Sequence, residues 1–417
     1  MQKPHWLWSA ALYTFFTLYT FLAIGLGGFI ITAAWIWRRS RKVEKLNEYP
    51  TVTFIVPARD EEKHISRCLT SLFKTAAYYP APCQIIVVDD GSTDQTYRNA
   101  WETIQDNRKL WPHVRAKVVW HSANLGKLEA LRTATNKAMS ELIATVDADT
   151  WWDSDALYEL VKRMKGEGKA AISGYIHPSD GKDEKRMYII LQQLEYSQGL
   201  GIFRSAQALA NAIPVIPGPM GLYEAYILRE ILNEKKLRSV TEDLEITLEM
   251  QKRGFQIGYA YEARSSTIAP SSFKAFWTQR LRWFIGWLHN LLKIHRSLLS
   301  QKSWLCLVLW HAMLLGYGGG LLELTALFSL PIFLYFAPDK ILFLLNLLIY
   351  LLFVLTVGTI YQAIAFKFSY GKYNHKHLLP YTPLYYVLRL INIFARVVCL
   401  IKYIRGDKGC WHKYPKT

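Results

Sequence analysis

Charge is missing from long stretches of this chain, and acids are scarce throughout it. From residue 4 to residue 37 the 417-residue sequence has no Asp, Glu, Lys or Arg. That run exceeds the roughly 20 residues a helix needs to cross the hydrocarbon core. It is also too long for the apolar core of a signal peptide and lacks a charged leader, so a cleaved signal is excluded. There are only 5 Cys. They share no C-x-x-C or Cys/His spacing, which excludes a disulfide-stapled miniprotein and a zinc site and leaves reduced thiols facing a cytosol. Acids number 33 against 50 Lys+Arg, a formal charge of +17. In a soluble protein that balance points to nucleic acid. Here 51% of residues are apolar, clustered in blocks at both ends. Basic cytoplasmic loops of a membrane protein explain the charge, so no nucleic-acid partner is expected.

What is present fits a membrane at both ends. Trp6 and Trp8 flank one end of the first block and Trp35 and Trp37 the other, as interfacial aromatic belts do. Arg38, Arg39, Arg41 and Lys42 follow at once, which puts the downstream side in the cytoplasm and the N-terminus outside. Three further apolar blocks cover residues 304–336, 341–366 and 384–404. The third carries Arg389, Arg396 and Lys402, and a charge at the centre of a span is costly. Loop 367–377 and tail 402–416 are both basic, so the third block is expected not to cross fully. Glu323, Asn346, Gln362, Asn392 and Arg396 are polar residues inside apolar blocks and are expected to line a path for product. The expected location is the plasma membrane, multi-pass, with the middle of the chain cytoplasmic.

That middle has short β-branched runs at 51–56, 84–88, 117–120 and 142–146, alternating with helical patterns at 61–77, 94–105 and 127–140. This alternation predicts a doubly wound, mostly parallel sheet, with ligands beyond the carboxyl ends of its strands. Each strand is followed there by a polar cluster: Pro57-Ala58-Arg59-Asp60-Glu61-Glu62, then Asp89-Asp90-Gly91-Ser92-Thr93-Asp94, then Asn124-Leu125-Gly126-Lys127, then Asp147-Ala148-Asp149-Thr150. Any one of these could be a turn or a helix cap; four in register are a site. Paired carboxylates repel unless a cation sits between them, and oxygen ligands suit Mg²⁺ or Mn²⁺. Such an ion stabilises a diphosphate leaving group. Lys127 adds a point charge for the same phosphates, and Asp90 is placed to accept hydrogen bonds from a nucleoside. Further on, Thr241-Glu242-Asp243 opens a helical run. It reads as a helix cap, as a carboxylate base for a hydroxyl, or as both. Gln279-Arg280-Leu281-Arg282-Trp283 lies in an aromatic amphipathic stretch. It gives Arg282 to a diphosphate and Trp283 to a sugar face, unless it is only an interfacial helix.

Together these motifs resemble the membrane-integrated family-2 glycosyltransferases, which include poly-N-acetylglucosamine, hyaluronan, chitin-oligosaccharide and cellulose synthases. The resemblance covers about residues 50–300. It implies an α/β GT-A-type doubly wound domain inserted between transmembrane helices, a UDP-sugar donor, Mg²⁺ or Mn²⁺, and inversion at the anomeric carbon. On this chain it implies that Pro57, Glu61, Asp90, Lys127, Asp147, Gln279 and Arg282 contact the UDP-sugar. Asp149 would hold the metal, Glu242 and Trp283 the acceptor, and Asp243 would be the base. The acceptor would be a growing β-linked glycan of N-acetylglucosamine type or, alternatively, a ceramide- or polyprenyl-phosphate-type lipid; no particular accessory subunit is implied. The expected division is 1–37 a transmembrane helix, 38–272 the catalytic domain, 273–303 interfacial helices, 304–404 membrane segments and 405–417 a cytoplasmic tail. The segment 406–411 also resembles the Gly/Trp tail of these synthases. Departures from the family pattern are Asp60 in place of Asn, the loop Ile216-Pro217-Gly218-Pro219-Met220-Gly221, Trp151-Trp152 after the paired acids, and one N-terminal span where several of these synthases have two.

Overall fold

In the computed structural model the predicted strand signals become the first half of an eight-stranded sheet. It describes residues 5–40, 46–182, 186–234, 237, 239–337, 339–369 and 376–407. Strands β1 (Val52–Ala58), β2 (Cys83–Asp89), β3 (Arg115–Trp120) and β4 (Leu142–Thr145) pair in parallel. Ala58 stands opposite Asp89, and Asp89 opposite Trp120, so the carboxyl ends of three neighbours finish level. Alternation along these strands fills two cores. Phe54, Val56, Ile85 and Val87 face one side, and Ile55, Ile86 and Val88 face the other. Helices α2 (Ile65–Tyr78), α3 (Thr96–Leu110) and α5 (Ala156–Gly166) cover the first side. Helices α4 (Lys127–Lys137), α8 (Ala225–Glu234) and α9 (Glu242–Lys252) cover the second.

The sheet is more mixed than the pattern of residues 51–146 suggests. Its order is β3-β2-β1-β4-β7-β6-β8-β5, with β5 (Thr150–Trp152), β6 (Ala171–Ser179), β7 (Gly221–Glu224) and β8 (Ile257–Ile268) making the second half. There β7 runs antiparallel to β4 and β6, and β5 antiparallel to β8. The β6–β8 pair slips register between Gly174 and Tyr175. A Cβ on Gly174 would lie 2.5 Å from Met220 Sδ and 2.6 Å from the Ala263 carbonyl, so only glycine fits this bulge.

Among the described residues four helical stretches are long and apolar enough to cross a membrane: Thr20–Ser40, Trp304–Phe336, Lys340–Phe368 and Lys376–Ile404. The first belongs to α1 (His5–Ser40). Its end departs from expectation, because Trp37 is fully buried in the sheet domain, stacked on Tyr259 at 5.9 Å. Arg38 follows it, donating to the Phe368 carbonyl at 2.6 Å and lying 4.0 Å over the Tyr261 ring. Trp37 is therefore a docking residue, while Trp35 stays exposed beneath Arg39. The side chains of Trp6 and Trp8 lie outside the described residues, as do Cys410 and residues 408–411 of the tail. Cys68, Cys83, Cys306 and Cys399 are unpaired thiols.

Between the sheet and the long apolar helices lie α6 (Met187–Tyr196), α7 (Arg204–Leu209) and α10 (Phe273–His289). The block Trp304–Phe336 divides into α11 (Trp304–Met313), a π-turn, and α12 (Gly319–Phe336). Next come α13 (Lys340–Phe368) and α14 (Thr382–Ile404), and α14 packs along α10. Most of the polar residues expected to line a path instead join helices. Glu323 pairs with Arg389, Gln362 donates to Ser197 Oγ at 2.7 Å, and Asn392 donates to Glu195 at 3.1 Å. Such bonds satisfy polar groups where water is absent.

One close contact sets α10 against the start of α9. A Cβ on Gly286 would stand 2.4 Å from Thr241 Oγ1. Overpacking of this kind costs about 1–3 kcal/mol. Gly286→Ala should therefore lower the melting temperature in detergent by about 2–8 °C. Gly25→Ala, whose Cβ meets nothing within 4 Å, should leave it unchanged.

Candidate active site

The loops after β1 and β2 are laced together. Asp60 accepts from Thr93 N at 2.8 Å, Ser92 Oγ accepts from Asp60 N at 2.9 Å, and Thr96 Oγ1 accepts from Glu61 N at 2.6 Å. Asp60 has φ 47°, a left-handed conformation that Asp and Asn tolerate. Gly91, at φ 66°, lies so close to the next loop that a Cβ would meet the Ala123 backbone at 2.7 Å. That loop is held from below by Asp90, only 3% exposed, which accepts from Leu125 N at 2.9 Å and Gly126 N at 2.8 Å. His121 Nδ1 lies 2.9 Å from the same carboxylate. Most of the hydrogen-bonding capacity of Asp90 thus aims Lys127, and one acceptor position on Oδ2 is left over.

Lys127 opens α4 and reaches across the cleft. Its Nζ is 2.7 Å from Asp147 Oδ1, beyond β4, and 2.7 Å from Glu242 Oε1, at the start of α9. Beside it Asp149 accepts from Thr267 Oγ1 at 3.4 Å. Asp243 accepts from Leu244 N at 2.8 Å and from Gly218 N at 3.3 Å. The proline-flanked loop can come this close because residue 218 is glycine: a Cβ there would be 2.9 Å from Lys127 Nζ and 3.1 Å from Asp147. Trp152 Nε1 donates to the Pro219 carbonyl at 3.0 Å, which gives the unusual Trp after the paired acids a structural task. Its neighbour Trp151 lies under the Arg67 guanidinium at 3.4 Å. Thr241 does not cap α9 with its side chain, whose hydroxyl instead accepts from Asn290 Nδ2 at 3.2 Å.

Electrostatics differ among the four buried charges. Burial opposes the charge of Lys127, but Asp147 and Glu242 prevail and raise its pKa. Burial likewise opposes Glu242, yet Lys127 and then Arg282 hold it below the usual carboxylate range. Asp147 is raised, by burial first and by the charge of Asp149. Asp243 is pushed up to about 6, by burial and by its neighbour Glu242.

All eleven residues singled out in the sequence line one cavity of about 1060 Å³: Pro57, Glu61, Asp90, Lys127, Asp147, Asp149, Glu242, Asp243, Gln279, Arg282 and Trp283. Trp283 lies under the Arg280 guanidinium at 4.5 Å. Arg280 is anchored by Glu195 of α6. Gln279 has a buried carbonyl oxygen with no hydrogen-bond partner among the described residues. The cavity continues to Val308, His311, Gly316 and Tyr317 in the first C-terminal block and to Arg396 of α14. Sequence reasoning missed Glu195, Arg204 and His311 on its wall. The available signal was an isolated charge inside an otherwise apolar helical stretch.

A mixed sheet with acids gathered at its carboxyl ends, opening on a cleft with buried cations, defines a GT-A glycosyltransferase fold. Residues 53–232 match the family model Glycosyl transferase family 2. An N-acetylglucosaminyltransferase of Sinorhizobium fredii is 29% identical over 242 residues, 56% of either chain. A poly-beta-1,6-N-acetyl-D-glucosamine synthase of Staphylococcus aureus is 25% identical over 258 residues, 62% of this chain and 59% of its own. The synthase of that name from Staphylococcus epidermidis is 23% identical over 383 residues, 86% of each. The chain thus spans rather more than half the length of the first two relatives. In fold it is similar to a mannosyltransferase from Pyrobaculum calidifontis, solved in complex with GDP-Man and Mn2+, with TM-score 0.63 and 19% identity over 95% of this chain and 99% of the other.

A carboxylate that must be ionised to work loses its activity as pH falls through its pKa. If Asp243 is that group, transfer should decline below about pH 6 in a pH–rate profile. Lys127→Met removes a charge that favours ionised Asp243, so its residual activity should decline from a higher pH.

Proposed function

We propose that the protein transfers N-acetylglucosamine from UDP-N-acetylglucosamine to a growing β-linked glycan, with inversion, and passes the product toward the membrane. The observation that carries this reading is the continuity of one cavity from the acids beyond β2 and β4 to the C-terminal membrane segments. The names of the relatives support the sugar, and the basic flank Arg38-Arg39 supports a catalytic domain on the cytoplasmic side of the plasma membrane.

In this reading Pro57, Glu61 and Asp90 contain the nucleoside end of the donor, and Lys127, Gln279 and Arg282 receive its diphosphate. Asp147 and Asp149 fit a divalent ion, Mg²⁺ or Mn²⁺, by their oxygen donors, and burial together with the charge of Asp149 raises Asp147 in the absence of a further cation. That ion would supply charge neutralisation of the diphosphate. Among the described residues no group of three or more His, Cys, Asp or Glu closes a cage. Substrate phosphates and water would supply its remaining ligands. Glu242 and Trp283 face the acceptor, with Trp283 offering its ring to a sugar face. Asp243 takes the proton of the acceptor hydroxyl as its oxygen bonds to the anomeric carbon. The bond from that carbon to the diphosphate breaks, and UDP leaves with the electron pair.

The test is to incubate membranes holding the full chain with tritiated UDP-N-acetylglucosamine and to size the labelled product. Polymer that disappears with EDTA and returns with Mg²⁺ or Mn²⁺ is expected. A single sugar on a solvent-extractable lipid would overturn processivity and favour the lipid acceptor. Full activity in chelator would make Asp147 and Asp149 structural.

A further inference from the structure

Arg204 is a buried cation on the cavity wall to which the transfer described above gives no role. It begins α7 and is only 7% exposed. One guanidinium N–H donates to the Val215 carbonyl, and among the described residues Arg204 makes no other hydrogen bond and no ion pair. Two other buried arginines of this domain lie against carboxylates. Arg163 meets Glu167 at 2.9 Å and Glu262 at 2.6 Å, and Arg280 meets Glu195. A buried charge with no counter-charge is destabilising, so its persistence at a cavity wall points to a ligand.

Its surroundings say which ligand. Val215 belongs to the loop whose Gly218 N donates to Asp243, so Arg204 and Asp243 brace the same loop. Burial pushes the Arg204 guanidinium down to about 10, although Tyr259 and Asp243 favour its ionised form. Phe203, one residue earlier, packs against His311 of α11 at 6.3 Å, on the side of the cavity that adjoins the membrane segments. The donor groups Asp90, Lys127, Asp147 and Asp149 all come from the ends of β2 to β4 instead. A guanidinium carries five N–H donors in a fixed fork and no acceptor. On the wall of the cavity that Asp243 also lines, it suits oxygen atoms: the ring hydroxyls or acyl carbonyl of the sugar being extended.

We propose that Arg204 determines acceptor binding, donating from its fork to oxygens of the acceptor's terminal unit and so holding the nucleophilic hydroxyl at Asp243. This rests on the transferase reading above but not on the product being a polymer. Wild type, Arg204→Lys and Arg204→Met are compared as full chains in membranes with tritiated UDP-N-acetylglucosamine. Label in product is divided by label released as free sugar, and UDP is titrated as an inhibitor. For Arg204→Met the ratio should fall at least about tenfold, the loss of one charge-assisted hydrogen bond. Arg204→Lys should fall between, and the UDP inhibition constant should change less than about twofold. An unchanged ratio, or a UDP constant that rises in parallel, would overturn the proposal. Should Arg204→Met fail to accumulate, Arg204→Lys, which keeps the charge and a donor for Val215, decides by the same two readouts. If the wild-type product is a single sugar on lipid, processivity fails while the ratio still scores Arg204.

Discussion

One ammonium group holds the cleft together. Lys127 Nζ sits 2.7 Å from carboxylates on two separate elements, Asp147 at the end of β4 and Glu242 at the head of α9. Two acids this buried repel each other unless a cation lies between them. The surrounding structure serves to place that cation. Asp90 ties down Leu125 and Gly126 so that α4 begins where it does, and a glycine at 218 leaves the space that a Cβ would take. The same charges set the unequal pKa values of the site, with Glu242 held low and Asp243 raised to about 6. A pair pushed apart in this way is what separates a binding carboxylate from a base.

The donor side of this cleft was legible in the sequence because its signals are local. Strands β1 and β2 are near-continuous apolar runs, as strands covered on both faces must be, and their polar clusters follow directly. The second half of the sheet was not legible. β6 carries a bulge at Gly174 and a His-Pro-Ser end, and β8 carries Glu262 and Arg264, so neither shows a clean period. Their pairing is fixed by contacts distant in sequence. Trp37 was misread for a related reason. A Trp at the end of an apolar run looks the same whether it meets lipid headgroups or Tyr259. Gln362, Asn392 and Glu323 were expected to line a path because a polar residue in a span has two uses, and the sequence does not say which partner it has. Arg204 was passed over because nothing around it in sequence is polar enough to mark a site.

Membrane segments and catalytic domain share one set of contacts. Trp37 and Arg38 lock α1 onto β8 and the end of α13, and Glu195 joins α10 to α14 through Arg280 and Asn392. The helix bearing Gln279, Arg282 and Trp283 is thus fixed between the acids of the sheet and the apolar blocks, with Gly286 allowing its approach to Thr241. A cavity built this way has a charged end suited to a nucleoside diphosphate and an aromatic end suited to sugar faces. Asp243, the proposed base, lines the same cavity.

Asp243→Asn is the substitution that bears on this arrangement most directly, because it removes the proton acceptor while keeping the side chain's shape. Transfer from UDP-N-acetylglucosamine should fall at least about 100-fold, the usual contribution of a positioned base, while UDP binds as in the wild type. A variant that retains more than about a tenth of wild-type transfer, with UDP affinity intact, would contradict the assignment of Asp243 as the base.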